Sequence, residues 1–88
     1  FSVVLEGIPA DISKKITDNL KIPTIGIGAG PDCDGQVLVL HDLLGLNLRH
    51  LPKFVKQYAS LGEDARKGMK KYIEEVQKGV FPSKDHCY

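Results

Sequence analysis

The chain has 88 residues, enough for one small domain or a piece of a larger one, and a large enclosed catalytic cavity is not expected from it alone. Twelve basic residues against eleven acidic ones leave a net charge of +1, with no block of like charge that could track a phosphate backbone, so nucleic acid is a poor partner. No apolar stretch approaches the roughly 20 residues of a membrane span, and Cys33 and Cys87 are spaced for neither a disulfide framework nor a metal site, reading instead as reduced cytosolic thiols.

The chain opens inside an apolar run with no initiator Met, no basic leader and no loop, so it reads as part of something longer. Val3 to Leu5 has the composition of a strand buried on both faces and stops at Glu6-Gly7. Pro9 suits the first turn of a helix and Asp11 favours the positive end of its dipole. Ile8, Ile12, Ile16 and Leu20 give that helix one apolar side, with Lys14, Lys15 and Asp18 outside it. Ile22 to Ile27 reads as the next strand, with Pro23 at its beginning, where a missing N–H does least damage.

The connection Ala29 to Gln36 is short for a parallel crossover, and length alone favours a hairpin. Val37 to Leu40, however, is apolar at every position, which favours a buried parallel strand reached by one tight helical turn. Leu43 to Leu51 reads as a loop over the strand end. A helix is expected next, with Leu51, Phe54, Val55 and Tyr58 on one face and Lys53, Lys56 and Gln57 on the other. Ser60-Leu61-Gly62-Glu63 is a capping-box pattern that opens a last helix carrying Ala65, Met69, Tyr72, Ile73 and Val76. That helix ends near Gly79, and the apolar Val80-Phe81-Pro82 is expected to dock on a neighbour.

Glu6 is the sharpest candidate for chemistry. A carboxylate at the carboxyl end of a strand, with apolar neighbours that favour its protonated form, suits a general base acting beside a carbonyl. The alternative is a strand-end glutamate that faces solvent or pairs with a lysine. Gly26, Gly28 and Gly30 lack the G-x-G-x-x-G spacing and following helix of a dinucleotide site, so close packing is their expected role, with an anion cradle as the alternative. His41 and Asp42 could form an acid–base pair or ligate a metal, although adjacent strand residues point opposite ways, and a buried His satisfied by a backbone carbonyl beside a loop-capping Asp is favoured. His86-Cys87 offers two metal ligands in a tail poorly suited to fixing coordination geometry. Phe54, Tyr58 and Tyr72 lie on helical stripes and read as core.

Taken in order, Val4-Leu5-Glu6-Gly7-Ile8-Pro9, Ile22 to Gly30, Asp34-Gly35-Gln36-Val37-Leu38-Val39, His41-Asp42 and Pro52-Lys53-Phe54 resemble the 3-methyl-2-oxobutanoate hydroxymethyltransferase family, and Val80-Phe81-Pro82 with His86 is similar to that family's tail. The resemblance implies the C-terminal third of a (β/α)8 TIM barrel, residues 1–88 forming a partial domain without strands 1 to 5. Phe1 to Leu5 would be strand 6, Ile22 to Gly28 strand 7 and Val37 to Leu40 strand 8, followed by C-terminal helices.

It further implies that Glu6 is the catalytic proton acceptor in hydroxymethyl transfer from 5,10-methylenetetrahydrofolate to 3-methyl-2-oxobutanoate, the ketopantoate-forming step of pantothenate synthesis. Mg2+ would be the cofactor, its ligands lying on earlier strands outside this chain, so that the chain alone would be inactive. The implied partners are the 2-oxo acid, the folate and further copies of the full-length enzyme. The implied compartment is the cytoplasm, or the mitochondrion in a eukaryote. Gly7 stands where many relatives carry a cysteine, which adds backbone freedom beside Glu6. Two other readings are another phosphoenolpyruvate/pyruvate-type barrel enzyme and a non-catalytic assembly fragment.

Overall fold

The computed structural model describes all 88 residues, Phe1–Tyr88. Strand β1 (Val3–Glu6) leads through Gly7 and Pro9 into helix α1 (Ala10–Asn19), and the chain returns through Pro23 to β2 (Thr24–Ile27). A seven-residue connection then reaches β3 (Gly35–Gln36), followed by the short helix α2 (Leu40–Leu43), the long helix α3 (Leu61–Gln77) and a single 3-10 turn, Lys84–His86. The strands lie in the order β1-β2-β3, all parallel, with Val3 opposite Thr24, Glu6 opposite Ile27 and Ile25 opposite Gly35. The hairpin alternative is thereby excluded.

The two faces of this sheet differ. Thr24 and Leu5 are buried on the α1 side, where Thr17 Oγ1 lies 2.9 Å from Thr24 Oγ1. Alternation along a strand puts Val4, Glu6, Ile25 and Ile27 on the other face, and no element covers it. Val4 is 57% exposed, so the expectation of a first strand buried on both sides holds for one side only. On α1, the residue driven against the sheet is Ser13, fully buried, whereas Ile12 and Leu20 of the anticipated apolar stripe are exposed. A small side chain at the closest helix–sheet approach displaces larger ones to the flanks.

Three other expectations are corrected. Val37 to Leu40 is not a strand: the ladder ends with Val37 N donating to Gly26 O at 3.0 Å, Val39 is the N-cap of α2, and Leu40 is already helical. A short apolar run does not distinguish strand from helix by periodicity. Residues 51–58 form no helix; they make one turn, closed by Val55 N to Pro52 O at 3.0 Å, and then run back along α2. Pro52 disfavours helix at the residue before it, and donors that a helix would use internally go elsewhere, Tyr58 N to Leu43 O at 2.8 Å and Leu61 N to Leu44 O at 3.1 Å. Phe54, Tyr58 and Tyr72, read as core, are all exposed.

Helix α3 runs as expected to Gln77, with Gly79 at φ +70° turning the chain away, but the anticipated Ser60–Glu63 capping box does not form, since Ser60 makes no side-chain cap bond. Its tail folds back onto it. Val80 N and Phe81 N both donate to Glu75 O, and the Phe81 ring sits 5.6 Å from Tyr72 and 5.0 Å from His86. Phe81 thus docks on its own helix, while Val80 remains exposed.

Candidate functional site

The carboxyl ends of β1 and β2 open into a cleft of about 960 Å³. Gly7 follows β1, Gly28 and Gly30 follow β2, Gln36 closes β3, and Lys53 and Phe54 reach over from the turn after α2. Positive φ at Gly7 (+62°) and Gly28 (+63°) turns the chain sharply off each strand. A side chain at Gly28 would meet the Phe54 ring at 2.6 Å, one at Gly26 would meet Cys33 Sγ at 2.9 Å, and one at Gly30 would collide with Ala10. The glycine run therefore seats packed side chains, and its expected role in close approach is the one observed.

Glu6 is the last residue of β1, on the face that α1 leaves open, and its backbone neighbour Gly7 lines the cleft. Its side chain is exposed and makes no hydrogen bond or ion pair. The apolar enclosure anticipated around it is not formed by this chain, because the opposing face carries no cover. A Cβ at position 7 would meet nothing within 4 Å, so a cysteine in place of Gly7 would find space and be opposed only by the backbone conformation.

His41 and Asp42 lie in α2, not on a strand. His41 is exposed, contrary to the expected buried imidazole, and it is its backbone carbonyl that is used, accepting from Leu46 N at 2.8 Å. Asp42 does tie the following loop, its Oδ1 accepting from Asn47 Nδ2 at 2.8 Å. In the tail, His86 Nδ1 faces Ser83 Oγ at 2.9 Å, and Cys87 Sγ donates to Ser83 O. No three His, Cys, Asp or Glu side chains converge in this chain. Its residues therefore do not by themselves fit a divalent cation.

A polar clasp at the other end of the strands is not anticipated by the sequence pattern. Asp34 Oδ2 accepts from Thr24 N at 2.8 Å, and Asp34 N donates to Thr24 Oγ1 at 3.2 Å. Thr17, whose hydroxyl donates to Ser13 O at 2.8 Å, completes the group. The only hint is a threonine heading an otherwise apolar strand. Lys53 and Phe54 are likewise hidden as cleft residues, because their spacing predicts a helix that the structure replaces with a turn.

Residues 1–84 match the family model described as ketopantoate hydroxymethyltransferase. The whole chain aligns with proteins named 3-methyl-2-oxobutanoate hydroxymethyltransferase: at 62% identity with that of Desulforapulum autotrophicum, covering 34% of the relative, and at 59% with that of Syntrophus aciditrophicus, covering 32%. The Moorella thermoacetica protein of the same name is 59% identical over 88 residues, 33% of its length. The chain thus spans about a third of the length of the curated relatives it matches.

Proposed function

The chain belongs to the ketopantoate hydroxymethyltransferase family, and on that premise we propose that residues 1–88 are the C-terminal part of a (β/α)8 barrel, with β1, β2 and β3 as its sixth, seventh and eighth strands. The full-length protein would then transfer a hydroxymethyl group from 5,10-methylenetetrahydrofolate to 3-methyl-2-oxobutanoate, giving 2-dehydropantoate. The mixed α/β fold with its parallel sheet suits this reading, and the open face bearing Val4, Ile25 and Ile27 would become the barrel interior. Homo-oligomeric assembly in the cytoplasm belongs to the same proposal.

Glu6 is the proton acceptor in this reading. The observation that carries it is position: a carboxylate ends β1 on the uncovered face, beside the cleft, where parallel α/β proteins place their reacting groups. It would take the C3 proton of the keto acid. C3 then bonds to the methylene carbon, both bonds from that carbon to the two folate nitrogens break, water supplies the hydroxyl, and the C3 proton and one proton of that water end on the two nitrogens. The Mg2+ ion that the resemblance implies would be held by residues outside this chain.

Glu6→Gln in the full-length protein tests the assignment. Keto-acid binding is expected to persist, while exchange of the C3 proton with D2O, followed by NMR, falls by about 10²–10⁴-fold, the usual contribution of a positioned base. Exchange at the unaltered rate would refute the role of Glu6.

A further inference from the structure

The chain between α2 and α3 closes into a loop with a tied neck. At its start Leu46 N donates to His41 O at 2.8 Å and Asn47 Nδ2 to Asp42 Oδ1 at 2.8 Å; at its end Tyr58 N donates to Leu43 O at 2.8 Å and Gly62 N to Gly45 O at 2.9 Å. Both ends are thus fastened to α2 and the turn that follows it, the arrangement of an Ω-loop. Between them, residues 48–57 make one backbone hydrogen bond, Val55 N to Pro52 O, and none to the sheet. Leu51 and Val55 are half-buried and Phe54 is 39% exposed, so side chains seat this strap where backbone bonds do not. Segments held in this way open locally at low cost.

The strap reaches the end of β2 at Gly28. Phe54 covers that glycine so closely that a Cβ there would lie 2.6 Å from the ring, and the preceding residue, Lys53, stands in the cleft wall. From Asn47 to Tyr58 the strap carries Arg49, His50, Lys53 and Lys56 and no carboxylate. An anion in the cleft therefore gains an attraction when the strap is down that it loses when the strap is up, and such a difference is what a ligand needs to shift the balance. We propose that residues 48–57 are a lid over the strand-end cleft and that Phe54, seated on Gly28, is its latch. The ligand-driven part of this inference rests on the proposed binding of the 2-oxo acid in the cleft; the latch stands on the chain's own geometry.

Limited trypsin digestion of the full-length protein, with cut sites identified by mass spectrometry, tests both parts. Arg49, Lys53 and Lys56 report on the strap, and Arg66 of α3 reports general loosening; all four are exposed. Without ligand, Phe54→Ala is expected to be cut in the strap about tenfold faster than the unmodified protein, with cutting after Arg66 unchanged, since cleavage follows the population of the open form. Phe54→Tyr, which keeps the ring, should restore the slow rate. Saturating 3-methyl-2-oxobutanoate in Mg2+ buffer should slow strap cutting in the unmodified protein and not in Phe54→Ala, whose KM for the keto acid rises about threefold with kcat little changed. Equal strap cutting in Phe54→Ala and the unmodified protein, or a parallel rise after Arg66, would overturn the latch. A strap that trypsin never cuts in the unmodified protein, or cuts at one rate with and without keto acid while C3 exchange shows the acid to be bound, would overturn the lid. Absence of C3 exchange would instead remove the proposed reaction, and the ligand-free comparison would still decide the latch.

Discussion

At the scale of single residues, the strongest local constraint lies away from the cleft. Thr24 is fully buried and its amide has one acceptor, the Asp34 carboxylate at 2.8 Å. Asp34→Ala would strand that N–H and remove a charged acceptor, so a loss of about 1–3 kcal/mol is expected in urea unfolding of the full-length protein. Asp34→Asn, which keeps one carbonyl oxygen, should lose less. Equal losses for the two variants would show that the acceptor at Thr24 N is unimportant. Ser13 presents the opposite case: its hydroxyl is buried with no partner, so it is there for its size and not for a bond.

At the scale of elements, β1, α1, β2 and α3 were legible because each combines a clear period with a clear stop: Gly7 after the first strand, Pro23 before the second, Gly79 after the last helix. What was not legible depended on long-range hydrogen bonds. The stripe Leu51, Phe54, Val55 and Tyr58 has helical spacing, but Tyr58 N is taken by Leu43 O, and no local pattern encodes that. Of the candidate site, the position of Glu6 at a strand end was readable from the apolar run before it, whereas Lys53 and Phe54 reach the cleft only through the turn that replaces a helix. The N-terminus of α3 is instructive as well. Ser60 occupies the N-cap, yet it makes no side-chain cap bond; its Oγ lies 3.2 Å from Gln57 Nε2 as acceptor. Replacing an N-cap serine by alanine ordinarily costs about 0.5–2 kcal/mol. Ser60→Ala is expected to cost less than about 0.5 kcal/mol by thermal unfolding, and a larger loss would mean that the capping bond forms in solution.

At the scale of the molecule, only six of 88 residues are buried, and the radius of gyration is 21.4 Å, against about 12 Å for a compact domain of this length. The longest dimension is 66 Å. Exposed Val4, Met69, Ile73 and Val76 form apolar surfaces that this chain does not cover itself. Expressed alone, the 88 residues are expected to bind ANS strongly, to melt without a cooperative transition by circular dichroism and to form no 2-dehydropantoate. A sharp two-state melt with a monomeric elution volume would contradict this.

The Thr17-Thr24-Asp34 clasp and the cleft occupy opposite ends of the same short strands. Laboratory evolution can therefore treat them as separate libraries: randomising around the clasp should shift thermal tolerance, randomising Gln36 and Lys53 should reshape the cleft wall, and effects from the two pools should combine additively.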